Sequence, residues 1–240
     1  MRLFPLLKFA WSCFWLALIT IVLFIPVMTL ALISRTGNLV FEFAKIWAYA
    51  ANVVHFVKPS IRGREKIEKG KAYVIVSNHQ SLMDIPTIVT KLGVQFRWII
   101  KRELLFVPLF GYSLYAMRNV FIDRSDREQT IKTINKGIER LPPEAGLLFF
   151  AEGTRSPDGK IHEFKKGAFV TAIETGLPIL PITVNGSRKV LPKGSLAFTP
   201  GRVEVVVGDP IKSREYTHDQ VDELIQRTRN AIIANFDPDF

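Results

Sequence analysis

From Phe9 to Ile33 the chain runs 25 residues without a charged side chain. At about 1.5 Å of rise per residue, that run is long enough to cross a hydrocarbon core of about 30 Å. Arg2 and Lys8 precede it, and no small-residue cleavage site stands in front of a mature start. The run therefore reads as a retained membrane anchor rather than a signal peptide. A buried helix of a soluble protein is the competing reading. Pro26 permits a kink within it.

A second helix is predicted over Asn38 to Asn52, where Asn38, Glu42, Lys45, Tyr49 and Asn52 recur at spacings of four, three, four and three. They form one narrow polar stripe on an otherwise apolar cylinder that carries Leu39, Val40, Phe41, Phe43, Ile46 and Trp47. Such a helix can lie in the membrane interface with its stripe toward water. It can also fold back against the first helix through a turn at Thr36-Gly37-Asn38, and an ordinary core face gives the same spacing. The preferred expectation is a two-helix membrane anchor over residues 1–57. Whether its first helix crosses the bilayer or dips into one leaflet stays open.

From Lys58 onward, short apolar runs alternate with helical patterns. Strands are predicted at Tyr73–Val76, Phe96–Ile100, Val120–Ile122, Leu147–Phe150, Ile179–Val184 and Val203–Val207. Ser125 with Glu128, and Thr217 with Gln220, read as capping boxes that open helices running to Leu141 and about Asn235. This rhythm predicts an α/β fold over residues 58–240, with a mostly parallel central sheet flanked by helices. Active residues are then expected on loops beyond the strand ends. The helix around Leu104 to Met117, with Leu105, Phe106, Phe110 and Leu114, is either an ordinary core face or a tunnel wall.

Two of those loops carry chemistry. After the first strand comes Ser77-Asn78-His79-Gln80-Ser81-Leu82-Met83-Asp84. A carboxylate beside an imidazole orients one ring nitrogen and leaves the other free to take a proton from an alcohol. Positions five apart on a regular helix sit roughly 140° apart. His79 and Asp84 can therefore meet only if His79 is on the loop and Asp84 near the start of the next helix, with Pro86 in its first turn and Gly93 at its stop. A lone His-x4-Asp pair is a weak signal. A later run, Phe150-Ala151-Glu152-Gly153-Thr154-Arg155, followed by Lys165-Lys166-Gly167, strengthens it. An open glycine backbone, a hydroxyl and an arginine fork suit a phosphate monoester. Val120-Phe121-Ile122-Asp123-Arg124 brings a further arginine from a strand end, and Gly176 to Ile182 is an apolar strand framed by prolines.

These four blocks, in this order, resemble the glycerolipid acyltransferase family, and within it the bacterial 1-acylglycerol-3-phosphate acyltransferases. The resemblance covers roughly residues 60 to 210. N-H-Q-S-L-M-D matches the family's N-H-x-S-x-x-D, and F-I-D-R matches its second block, although Arg118 and Asn119 replace small residues common just upstream. F-A-E-G-T-R departs from F-P-E-G-T-R only at Ala151. The resemblance implies transfer of an acyl chain from acyl-CoA or acyl carrier protein to the free hydroxyl of lysophosphatidic acid. His79 would be the base and Asp84 its orienting partner. Arg124, Gly153, Thr154, Arg155 and Lys165 would hold the acceptor phosphate, with Glu152 bracing their loop. Asn78 and Ser81 are candidates for loop support or oxyanion donation. No metal or other cofactor is implied. The expected location is the inner (cytoplasmic) membrane, with the catalytic domain facing the cytoplasm. Glycerol 3-phosphate or a lyso-aminolipid as acceptor, and a non-catalytic membrane lipid-binding protein, are the alternatives.

The formal charge of +10 is spread so that residues from 58 onward hold 28 basic against 21 acidic side chains. No nucleic-acid motif accompanies it, so anionic lipid headgroups are the expected partner and nucleic acid is not. The single cysteine, Cys13, excludes an internal disulfide and a thiolate metal cluster. There is no G-x-S-x-G elbow for an acyl-enzyme route. Gly153 to Lys160 fails the Walker pattern both in glycine spacing and at Ile161. His55, His162 and His218 lack metal-ligand spacing, and His162 is expected at the surface.

Overall fold

The computed structural model describes residues 3–123, 133–134 and 136–240. Helix α1 runs Leu3–Ile33 and contains Pro26. Helix α2 follows over Asn38–Val54. Gly37 makes the turn between them at φ 75°. A Cβ there would sit 2.8 Å from the Met117 carbonyl oxygen, so only glycine satisfies both the backbone and the space.

The strands are β1 Val57–Arg62, β2 Val74–Ser77, β3 Phe96–Lys101, β4 Val120–Ile122, β5 Gly146–Phe150, β6 Ile179–Asn185 and β7 Gly201–Val207. Further helices whose bounds are described are α3 Asp84–Lys91, α4 Phe110–Ala116, α5 Gly167–Thr175, α6 Ser187–Val190 and α7 Val221–Ile233. Among the described residues the sheet order is β1-β7-β6-β2-β5-β3-β4. β6, β2, β5, β3 and β4 pair in parallel, whereas β7 is antiparallel to β6 and β1 parallel to β7. Central β2 is buried on both faces, which is why it reads as an unbroken apolar run.

Alternate strand residues feed two cores. Ile75, Leu148 and Trp98 pack with Phe41, Ile88 and Met117 on one face. Val74, Val76, Leu147 and Phe149 pack with Phe169 and Leu224 on the other. The result is a three-layer α/β arrangement with α1–α4 on one side of the sheet and α5 and α7 on the other.

The six predicted strands are all present, within two residues of their expected ends. β1 is additional. Its V-K-P-S-I-R is polar and carries a proline, both tolerated at a sheet edge and both silent in a search for apolar runs. The capping box at Thr217 and Gln220 is present, with the Thr217 N–H 3.1 Å from Gln220 Oε1. It opens a short 3-10 turn that leads into α7. The box at Ser125 and Glu128 lies outside the described residues.

Among the described residues one helix, α1, is long and apolar enough to cross a membrane, and hardly any of its apolar stretch is buried. α2 packs on α1 and α3, and its polar stripe does not all face water. Asn52 is buried and donates to the Pro86 carbonyl at 3.2 Å and to Thr90 Oγ at 3.3 Å. Asn38 bonds Glu144 and takes a 2.6 Å hydrogen bond from Arg97. Glu42 and Tyr49 remain exposed. Buried polar groups need partners, and the α/β layer supplies acceptors for the amide N–H groups at both ends of the stripe.

Arg97 is fully buried on β3, where it donates to the Thr36 carbonyl at 2.9 Å and lies over the Phe41 ring. Burial pushes its guanidinium down to about 10, which leaves it charged at neutral pH and pinned to the α1–α2 turn.

Candidate active site

β2 ends at Ser77 and α3 begins at Asp84, so the intervening loop must turn from strand to helix within six residues. Asp84 is fully buried at the α3 N-terminus, where helix dipoles favour a carboxylate. Its Oδ2 accepts hydrogen bonds from His79 Nδ1 at 2.7 Å, the Gln80 N–H at 2.8 Å and the Ser81 N–H at 3.0 Å. One oxygen thus shapes the loop and fixes the imidazole. With Nδ1 donating to the carboxylate, Nε2 carries the free lone pair, and no protein group among the described residues bonds it. The ring stacks on Phe150 with centroids 3.8 Å apart and planes 13° from parallel.

The second loop is tied directly to the first. Buried Glu152 accepts the His79 backbone N–H at 2.9 Å and the His162 N–H at 3.1 Å. Burial pushes the Glu152 carboxyl up, opposed by those two backbone donors. The Ser156 N–H donates to the His79 carbonyl at 2.8 Å, and the Lys165 N–H to the Ala151 carbonyl at 2.8 Å. Glu152 therefore braces the histidine as well as its own loop. Glu152→Ala removes the acceptor for both N–H groups, and a buried donor left unpaired costs about 1–3 kcal/mol. The variant should melt several degrees lower, at about 2–4 °C per kcal/mol, and should lose turnover; calorimetry beside the rate assay checks both.

Asn78 and Ser81 are held by distant partners. Asn78 Nδ2 donates to the Val184 carbonyl at 3.0 Å, and its Oδ1 accepts the Val184 N–H at 2.8 Å. The side chain thereby continues the β2–β6 pairing past the strand end. Ser81 Oγ donates to the Leu191 carbonyl at 2.7 Å and accepts the Met83 N–H at 3.1 Å. Loop support is the work these contacts do.

On the phosphate-loop candidates, Gly153 has φ 75°, and the Lys165 side chain passes over it. Thr154 is exposed and Arg155 half-buried. Among the described residues the Arg155 guanidinium makes no hydrogen bond. Arg124 lies outside the described residues. A cation that sequence reasoning missed joins this loop: Lys193 Nζ donates to the Arg155 carbonyl at 2.8 Å and lies 3.4 Å from Thr154 Oγ. It is 38 residues from Arg155 in sequence, and no local pattern marks it. His162 is exposed, as expected, and its Nε2 lies 2.8 Å from Asp158 Oδ1. The Lys160 N–H and this histidine hold the Asp158 carboxyl well below its usual range.

Behind His79 lies a cavity of about 250 Å³, walled almost entirely by apolar groups. Val27 of α1, Phe43 and Trp47 of α2, and Leu104, Leu114 and Met117 line it, together with His79 and Phe150. Of the expected wall residues, Phe110 and Leu114 line it. Leu105 and Phe106 do not, and Phe106 points outward. No cluster of metal-ligating side chains occurs among the described residues.

Comparisons with known proteins bear on the family and the fold. A family model described as Acyltransferase matches residues 58–185. The chain is 35% identical over 196 residues to a chloroplastic 1-acyl-sn-glycerol-3-phosphate acyltransferase of Arabidopsis thaliana, covering 81% of this chain and 53% of that protein. A Pseudomonas aeruginosa 1-acyl-sn-glycerol-3-phosphate acyltransferase is 33% identical over 195 residues, covering 81% of this chain and 75% of that one. The chain thus spans about half the length of the plant relatives it matches and three quarters of the bacterial one. The crystal structure of the 1-acyl-sn-glycerophosphate acyltransferase PlsC from Thermotoga maritima superposes with a TM-score of 0.78 at 26% identity, covering 98% of this chain and 99% of that one. With the family's region spanning both motif loops and the shared fold running the length of the chain, this protein belongs to the acyltransferase family.

Proposed function

We propose that the chain transfers a fatty acyl group from a thioester to the sn-2 hydroxyl of 1-acylglycerol 3-phosphate, making phosphatidic acid for phospholipid synthesis. The observation that carries this is the unpartnered Nε2 of an aspartate-held histidine, set between an apolar cavity and a cationic loop. His79 Nε2 takes the hydroxyl proton as the acceptor oxygen attacks the thioester carbonyl. The tetrahedral adduct then collapses, the carbon–sulfur bond breaks, and the departing thiolate takes the proton back from the imidazolium. Asp84 holds the ring and stabilises its transient charge.

An acyl chain in the cavity places its carboxyl end at His79, and Arg155, Lys165 and Lys193 face the acceptor phosphate, with Arg124 a further candidate. Coenzyme A and acyl carrier protein are both suitable thiol carriers, and the step calls for no metal or redox group. The substrate is a membrane lipid, so we place α1, together with α2, as the anchor to the inner membrane, with residues 58–240 on its cytoplasmic side.

A thiol-release assay with acyl-CoA and a panel of lyso acceptors tests this reading. Preference for glycerol 3-phosphate or a lyso-aminolipid would change the acceptor and keep the chemistry. Release with none of them would leave a lipid-binding protein.

Removing residues 1–57 is a sharper test than a simple loss of anchoring. α1 and α2 wall the cavity, and Asn52 holds the first turn of α3. Activity should therefore fall even on detergent-dispersed acceptor, and the melting temperature should drop. A truncated enzyme fully active in detergent would show that these helices only tether.

A further inference from the structure

The outer face of α1 leaves Phe4, Phe14, Val22 and Ile25 exposed. The same apolar character continues off the helix onto the catalytic domain. α4 packs against α1, and beside it the stretch from the 3-10 turn Arg102–Phe106 through α4 exposes Phe106 at 72%, Tyr112 at 59% and Tyr115 at 57%. Leu104 and Val107 are also exposed. Contiguous apolar exposure of this kind marks a surface that meets something other than water.

Two features make this a built surface. The first is rigidity. Gly111 packs so closely on the Leu105 carbonyl that no Cβ fits, and its N–H donates to the Val107 carbonyl at 2.8 Å. Leu109 is held at φ 59°, a conformation that side chains other than glycine rarely adopt. The aromatic side chains are thus displayed by a locked backbone. The second is position. Leu104 and Leu82 both line the cavity and reach the surface, so they mark where it opens. Leu104 belongs to the patch, so the patch adjoins that opening. Lys101 and Arg102 at its start and Arg118 at its end are exposed, with two acids beside them, Asp123 and Glu103, the latter paired with Lys101 at 2.8 Å. A basic rim around exposed aromatic and aliphatic groups is complementary to an anionic lipid surface.

We propose that the segment Leu104–Tyr115 is a second membrane-inserting element, separate from α1, that seats the mouth of the cavity in an anionic phospholipid surface. Lipid chains can then pass between bilayer and cavity without crossing water. This deepens the functional reading above and rests on its lipid acceptor.

The test is a depth measurement on the full chain. In a Cys13→Ser background, a nitroxide is attached to a cysteine at Phe106 or at Tyr112. Labels at Phe14 on α1 and at Lys212, beyond β7, serve as references. In vesicles of phosphatidylethanolamine and phosphatidylglycerol, the labels at 106 and 112 should collide with oxygen in preference to a nickel chelate, as at position 14. Labels at 106 and 112 as open to the chelate as the one at 212 would overturn the proposal and leave the patch to a soluble partner. Depth is read without turnover, so shallow labels on an enzyme that acylates lysophosphatidic acid sink this surface alone. Deep labels without acylation sink the acceptor assignment alone. In a second arm, Phe106→Glu should lower kcat/KM on vesicle-embedded acceptor by on the order of tenfold and change the rate on micellar acceptor by less than about twofold. An equal effect in both would count against insertion.

Discussion

Replacing His79 by alanine is expected to lower turnover by about 10²- to 10⁴-fold, the usual contribution of a positioned general base. The protein should still fold, because the backbone bonds that shape the loop run from Gln80 and Ser81 to Asp84 and from His79 to Glu152, and none uses the imidazole. Asp84 is different. Its single oxygen serves the ring and two backbone N–H groups, so Asp84→Ala leaves buried donors unpaired at about 1–3 kcal/mol each. Asp84→Asn is the cleaner probe, since its amide oxygen still accepts while the negative charge beside the imidazolium is lost. The expected pattern is near-parental melting for His79→Ala, a drop for Asp84→Ala, and severe loss of turnover in all three. Steady-state thiol release paired with calorimetry measures it. A His79→Ala enzyme that keeps more than about a tenth of parental turnover would rule out the base role, whose expected size is larger.

The parts of this structure that could be read from sequence share a physical cause. β2, β5 and β6 are buried on both faces, so each is spelled as a largely apolar run, and the motif loops follow the first two directly. The His79–Asp84 contact was foreseeable from helix geometry, because only a loop-then-helix arrangement lets the two meet. β1 was not, since an edge strand needs only half its residues buried, and Pro59 and the charges disguise it.

What stayed hidden depends on contacts far apart in the chain. Asn78 meets Val184 at a separation of 106 residues and Ser81 meets Leu191 at 110, so neither side chain's role was decidable locally. Asn52 lies at the end of a stripe that on its own indicates a face toward water, yet its partners are Pro86 and Thr90 on α3. The cavity is assembled from α1, α2, the α3 loop, β3 and α4, and no single segment contains its pattern.

Arg155→Lys is expected to raise the KM for lysophosphatidic acid strongly and the KM for the acyl thioester little. An arginine fork makes paired, charge-assisted hydrogen bonds to phosphate that an ammonium cannot reproduce, so the loss should appear even with charge kept. The Arg155 backbone is fixed independently by the Lys193 bond to its carbonyl, and its guanidinium has no protein partner among the described residues. The substitution should therefore leave the loop in place. A hydrogen bond to a charged group contributes about 1.5–3 kcal/mol, which is roughly 10- to 150-fold in kcat/KM at 1.4 kcal/mol per decade. Lys193→Met makes the comparison informative: it removes both a cation and the loop clamp, so it should weaken acceptor binding and lower the melting temperature together. Coenzyme A carries phosphates of its own, so each variant is assayed with acyl-CoA and with acyl carrier protein as donor. A defect of equal size with both donors places Arg155 at the acceptor phosphate. A defect confined to acyl-CoA would move Arg155 to the donor site and leave the acceptor phosphate to Lys165, Lys193 and Arg124.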